Sequence, residues 1–489
     1  MRFNVGILAS RASGALPTKP ARSQTIPTDR GTTPAVPRTP PRAGGRAGRG
    51  LAVAVLAVTL LVGLLAGRFL VAGDDGATRP ARPAAAGDTG ALVARLQAEL
   101  RQRPDEPRLL TRLGVAYVTQ ARETADPTFY ANAAGVLERA TTLAPRDPDT
   151  MVARGQLDLA RHDFRSALAW GTKAVKANPD LPDALGVLFD AQVELGRYQA
   201  AVVTAQAMVD RKPAQGSLAR VSYARELLGN PDGAVAAMVQ ASAAGGDSAT
   251  DRAYVQTLIG NLHLGAGRLA AAEAAYQRAL DGLEGYGLAE VGLARVAAAR
   301  GDLAGAAGRL EPAAARLPLP ATVALLGDVR AALGDKDAAA AQYRLVRVIE
   351  RLNRANGVAV DLELARFEAD HARDPGARPD KAVAMARRAL AERPTIYGED
   401  TFGWALRQAG RPRQALPHAR AAVRLGTRDA VLWYHLAAVE ADLGMTAAAR
   451  RHLAEAFEIS PYLTVRDQPS ALALAGRLRL PAPSRTSGR

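Results

Sequence analysis

Small and apolar residues return along this chain on a fixed ruler. Ala167, Ala174 and Pro179 recur 34 residues later as Ala201, Met208 and Pro213, and Gly410, Ala415, Ala419 and Ala422 are answered 34 residues on by Gly444, Ala449, Leu453 and Ala456. Between Pro148 and Pro213 the order is apolar helix, glycine stop, turn, second apolar helix, proline stop. Two amphipathic helices joined by a tight turn each carry an apolar face that the pair cannot bury alone, so copies must stack before any copy is stable. The pattern predicts an all-α array of about nine to ten stacked helical hairpins over residues 90–466.

In the unit that starts at Pro182, the eighth position is Phe189, the fifteenth Gly196, the twentieth Ala201, the twenty-seventh Met208 and the thirty-second Pro213. The glycine can take positive φ where the first helix stops, and the proline ends the second helix. This spacing resembles the tetratricopeptide repeat (TPR), a helical-hairpin solenoid whose pattern sets small residues at eight, twenty and twenty-seven and proline at thirty-two. Phe189 and Met208 are large for their slots, so packing there must adjust.

Taken in order, a helix capped by Asp88 or Thr89 is expected from Ala91 to about Arg103, followed by a first unit with extra residues around Glu123 to Thr128 that read as a long loop. The unit of Ser217 to Gly246 is degenerate. A break falls at Asn356 and Gly357, and the run Ala471 to Leu480 reads as a terminal cap.

Charge changes the picture at the N-terminus. Residues 1–50 hold nine basic residues against the single acid Asp29, with seven prolines, and predict a disordered basic arm. Residues 51–73 are apolar apart from Arg68, and as a helix they span roughly 34 Å, enough for a hydrocarbon core of about 30 Å if Arg68 snorkels. The basic excess before this segment places the N-terminus in the cytoplasm and the repeats outside the cell membrane. A cleaved signal peptide ending near Val71 and Gly73, with secretion of the remainder, is the rival; the long basic arm and long apolar run favour a single-pass signal-anchor. Residues 74–89 read as a linker and 467–489 as a cap and tail.

The chemistry of catalysis is sparse. The chain has no cysteine, hence no thiolate nucleophile or thiolate metal site, and it lacks a Gly-x-Ser-x-Gly elbow, a His-Glu-x-x-His pair and a phosphate-binding loop ending in Lys-Ser or Lys-Thr. His162 occupies a turn slot, where positive φ is tolerated. His418, His435 and His452 are spaced by half a unit, with no Asp or Glu expected in their phase. The adjacent acids Glu399 and Asp400 read as solvated surface. No enzyme, cofactor, metal or small-molecule substrate is expected, and no nucleic acid, since the basic excess lies in the arm rather than in an aromatic-laced stripe.

These features point to a membrane-tethered, non-enzymatic scaffold that presents a concave groove to a protein or peptide. An assembly factor or co-chaperone-like module of a membrane enzyme or transport complex is the alternative. The resemblance places positions two, five, nine, twelve and thirteen of each first helix on the concave face. In the ninth unit Tyr397, Trp404, Arg407 and Gln408 hold positions two, nine, twelve and thirteen, and in the tenth Val431, Tyr434, Ala438, Ala441 and Asp442 hold all five. Tyr397, Trp404, Arg407, Tyr434 and Asp442 are therefore the candidate partner-binding residues, aromatics and Arg being the usual anchors of binding energy. Trp404 has a competing assignment as core, the place expected for Trp433. The family's clamp for C-terminal carboxylates needs Lys and Asn at five and nine, where this chain has Val152 and Gln156, Gly186 and Asp190, or Thr257 and Asn261. Titration with acidic chaperone-tail peptides should therefore give no saturable binding, and micromolar affinity would contradict this.

Overall fold

A computed structural model of the chain describes residues 84–245, 248–359, 361–374, 376–481 and 483. The segments expected as basic arm and membrane span lie outside these residues. Among the described residues, no helix is long and apolar enough to cross a membrane.

Among the described residues, ten helical hairpins follow one another. Units one to five pair Pro107–Thr124 with Thr128–Leu143, Pro148–Ala160 with Phe164–Ala177, Pro182–Glu194 with Tyr198–Arg211, Gln215–Leu227 with Pro231–Ala243, and Ala249–Gly265 with Leu269–Gly282. Units six to ten pair Gly287–Arg300 with Leu303–Arg316, Pro320–Ala332 with Lys336–Ala355, Asp361–Asp370 with Pro379–Glu392, Ile396–Gln408 with Pro412–Ala422, and Ala430–Asp442 with Thr446–Ile459. The helix Ala84–Gln102 precedes the array and Asp467–Arg477 closes it, burying Ala471, Leu474 and Ala475.

Most hairpin turns contain a residue at positive φ. It is usually glycine, but His162 takes φ 61° in unit two and Ala125 φ 53° in unit one. An Asp or Asn often follows and caps the second helix, as Asp163 does for Ser166 and Asp302 for Gly305. Small residues lie where helices cross. A Cβ at Gly260 or Gly292 would run into the ring of Tyr276, which is fully buried and donates its hydroxyl to Asn261 at 2.8 Å. Ala201 and Ala449, the expected crossing points, are 2% and 0% exposed.

Two local expectations are corrected. The leading helix starts at Ala84, so Thr89 lies inside it and donates to Glu123 at 3.0 Å instead of capping. The extra residues of unit one lengthen its first helix to Thr124, because nothing breaks the helix before the Ala125 turn, so the expected long loop does not form.

First helices of neighbouring units touch one another, as in units two and three or nine and ten, whereas neighbouring second helices do not come comparably close. The array therefore curves with first helices inside. The curvature brings units about 200 residues apart into contact, turn of one coil upon loop of the next. The amide of Ala359 donates to Arg161 O at 2.8 Å and His162 Nδ1 donates to Ala359 O at 2.8 Å. The amide of Ile396 donates to the Tyr198 hydroxyl at 2.9 Å, and Thr427 Oγ1 donates to Leu227 O at 2.5 Å. Arg393 binds Glu194 at 2.6 Å and Glu363 at 2.7 Å, with its guanidinium 4.8 Å from the Phe164 ring. Burial opposes the charge of Glu363, but Arg393 and His162 outweigh it and draw the carboxyl down to about 2.

Gly196 isolates the worth of this seam. It has φ 68°, and a Cβ there would sit on the Pro394 carbonyl, whereas Gly410 has φ 73° and open space around it. Gly410→Ala should cost only the left-handed strain of about 1–2 kcal/mol. Gly196→Ala should lose more and lower the thermal midpoint further; equal losses would mean that the seam contributes nothing.

Candidate functional site

The first helices of units eight to ten bring ionisable residues together at the interval of the repeat. Arg366 Nη1 donates to Asp400 Oδ2 at 2.5 Å across 34 residues, and His435 Nδ1 donates to Asp400 Oδ1 at 2.8 Å across 35. Arg366 also binds Asp370 at 2.9 Å, and the other ring nitrogen of His435 lies 3.9 Å from Asp467 at the start of the closing helix. Asp400 and His435 are each 1% exposed. Burial would lower the His435 pKa, but the carboxylates of Asp400 and Asp467 prevail and raise it. Burial would likewise raise Asp400, and His435 with Arg366 prevail and lower it. Thr395 fixes the entry of the ninth unit, its hydroxyl accepting from Gly398 N at 3.0 Å.

Four of the five anticipated binding residues meet beside this ladder. Trp404 stacks on His435 with ring centroids 3.7 Å apart and 10° between planes, the Arg407 guanidinium lies 4.8 Å from its ring, and Tyr434 is 5.9 Å away. Arg407 Nε lies 2.8 Å from Asp442, which is exposed. Trp404 and Tyr434 are 4% and 2% exposed, so their rings are closed over by the chain itself, although the Trp404 indole N–H has no hydrogen-bond partner among the described residues. Tyr397 is half-buried elsewhere, packed against the apolar cluster of Leu185, Phe189 and Tyr198. Thr401 is buried. Trp433 is half-buried and donates its indole N–H to Thr427 O at 3.1 Å.

Asp400 is thus a buried ion-pair partner, correcting its assignment to solvated surface. The neighbouring Glu399 is half-buried and holds His418 at 2.6 Å. The three half-unit histidines all have carboxylate partners, with His452 on Glu440 at 2.7 Å, contrary to the expected absence of acids in their phase. Arg366, Asp400 and His435 are legible in the sequence as ionisable residues one repeat apart, a signal that inspection of each helix alone does not reveal.

A second polar group occupies the inner side of units one to five. Asp190 accepts from Arg220 Nε at 3.0 Å and Nη2 at 2.7 Å, with side chains 3% and 7% exposed. Burial opposes the Arg220 charge and Asp190 restores it, raising its pKa. Arg122 has no hydrogen-bonded carboxylate among the described residues. Burial lowers its pKa, opposed by Tyr130 and Tyr254, and burial with little relief raises the Tyr254 hydroxyl to about 12.

These elements define a class, a curved helical-hairpin repeat array with polar ladders on its inner side. The tetratricopeptide repeat family's sequence profile matches residues 401–463, a stretch that takes in most of units nine and ten. No curated protein sequence matches the chain. Among solved structures, the thermophilic TPR protein TTC0263 of Thermus thermophilus is similar at 24% identity over 40% of this chain and 98% of that one, with TM-score 0.35. The Cut9–Hcn1 hetero-tetramer of APC/C gives 17%, 80%, 66% and 0.39, and the human IFIT1 dimer with PPP-AAAA gives 12%, 76%, 90% and 0.42, in the same order.

The raised pKa of His435 fixes the sign of a pH effect. Its contribution is fully present below the unfolded value near 6.5 and is lost as pH rises through the higher folded value. The thermal midpoint should carry a downward component on the alkaline side that is absent in His435→Gln. At pH 6 that variant should lose roughly 1.5–3 kcal/mol, the range for a hydrogen bond to a charged group, and the deficit should shrink as pH rises through the folded value. A deficit that is constant with pH would show that His435 is neutral in the fold.

Proposed function

We propose that this protein is a non-enzymatic interaction scaffold, held at the outer face of the cell membrane by residues 51–73, whose inner groove in units nine and ten takes a protein or peptide partner. The observation that carries the reading is the contact between successive first helices, which curves the array and gathers Trp404, Arg407, Tyr434 and Asp442 on adjoining helices. In this reading Asp442 and the edge of Arg407 meet the partner directly. Trp404 and Tyr434 form the rigid floor that fixes the Arg407 fork, and Tyr397 contributes from the neighbouring wall. A partner offering an arginine to Asp442, or a carboxylate to Arg407, would exchange one half-exposed ion pair for another without a large desolvation cost.

The test is capture of the partner from solubilised membranes by the full chain and by Asp442→Arg. Reversing this charge should abolish capture, but it also costs Arg407 its partner. Asp442→Asn, which can still accept from the guanidinium, should therefore weaken capture while the melt stays within about 1 kcal/mol of wild type. Undiminished capture would remove the groove rim from the binding surface. Orientation is checked separately: a reporter that is active only outside the cytoplasm, fused after Arg489, should be active, and activity of a cytoplasm-only reporter there would reverse the topology.

A further inference from the structure

The second helices of units eight to ten carry a surplus of cations that the fold does not use. Arg387, Arg388, Arg413, Arg420, Arg450 and Arg451 are all exposed. Among the described residues none of them forms a salt bridge. The acids on the same three helices are already engaged: Asp380 with Arg411 at 2.5 Å, Glu392 with Arg165 at 3.5 Å, and Glu455 and Glu458 with Arg428 at 3.2 and 3.7 Å. The second helix of unit nine, Pro412–Ala422, has no acid at all. Folding therefore pairs the acids of these helices with arginines from elsewhere and leaves six exposed guanidinium groups without a carboxylate partner among the described residues, although Arg387 lies over the Phe402 ring and Arg451 donates to Ala447 O.

Position narrows what such a face can bind. Second helices form the outer side of the curve, so these arginines lie on a convex surface that cannot enclose a peptide. The aromatic rings beneath the nearby guanidinium groups, Phe402 under Arg387 at 5.8 Å and Tyr198 under Arg424 at 5.7 Å, are 8% and 7% exposed and give bases no platform to stack on. Guanidinium forks match phosphate oxygens bidentately. A broad, convex face with an arginine surplus suits a plane of phosphate groups.

We propose that the outer face of units eight to ten is an electrostatic docking surface for anionic phospholipid headgroups, which would lay the array against the membrane. The proposal rests on the membrane tether proposed above, and its test separates the two. Since the chain has no cysteine, Gln414→Cys on this face and Val203→Cys on the outer side of unit three each give a unique dye site in the full-length protein. Energy transfer to headgroup acceptors is compared in vesicles of phosphatidylcholine alone and with about one-third phosphatidylglycerol.

Transfer from position 414 should rise about twofold or more in the anionic vesicles, in keeping with the attraction of each arginine near such a surface. High salt should erase the rise. It should also vanish in the combined Arg413→Glu, Arg420→Glu and Arg450→Glu variant and be intermediate with Gln at those positions, while position 203 changes little. These side chains are exposed and outside any salt bridge, and circular dichroism confirms that the variants stay folded. A response equal in both vesicle types, equal at both dye positions, or unaffected by the Arg→Glu changes overturns the proposal and assigns the arginines to another anionic macromolecule or to solvent. Retention on neutral vesicles at high salt reads the tether alone. If it fails while position 414 keeps its charge-dependent response, the tether is wrong and the docking surface stands.

Discussion

Arg393 is the residue on which the coil of this protein depends. It sits at the end of unit eight and binds Glu194 of unit three and Glu363 of unit eight, while its guanidinium lies over Phe164 of unit two. Burial alone would lower its pKa; the two carboxylates overcome that and raise it, so the charge is held at the seam between one turn of the array and the next. A repeat array ordinarily needs only nearest neighbours. Here a charged group couples units that are five apart in order.

That coupling explains why the inner side is so polar. A coil tight enough for its turns to meet also crowds the first helices, whose side chains converge on the curve. Converging polar groups must find partners or remain costly. The result is pairing at the interval of the repeat: Arg366 with Asp400, Asp400 with His435, and Arg407 with Asp442. Asp190 and Arg220 also pair between units three and four, though 30 residues apart. The aromatic residues anticipated as binding anchors are drawn into this lining, which is why Trp404 and Tyr434 are buried although they occupy inward-facing positions.

The array and its phase are readable in the sequence because they depend on residues whose size or φ is restrictive. Ala201, Gly196 and Pro213 mark a crossing, a turn and a stop, and even His162 announces its left-handed turn. The start of the leading helix is hidden because Ala84 to Ala86 resemble a linker in composition, although alanine is the best helix former. The burial of Asp400 is hidden too, because an acid beside Glu399 looks solvated until the neighbouring helices supply His435 and Arg366. The seam is not readable at all. It joins residues such as Tyr198 and Ile396, which share no pattern, and their meeting follows from small rotations accumulated over about six units. In the groove, the identity of Trp404 and Arg407 is legible, but their burial depends on this same accumulated curvature.

The seam also gives the array a mechanical character. Its turns are already seated on one another at Arg161, Tyr198 and Leu227, so it resembles a spring wound until its coils touch, stiff when compressed and compliant only when stretched. Tension applied between its ends would first part the seam, each released contact adding length before any hairpin unfolds. An ordinary solenoid, whose coils are not in contact, extends smoothly under load; this one should resist up to a threshold and then give way in steps.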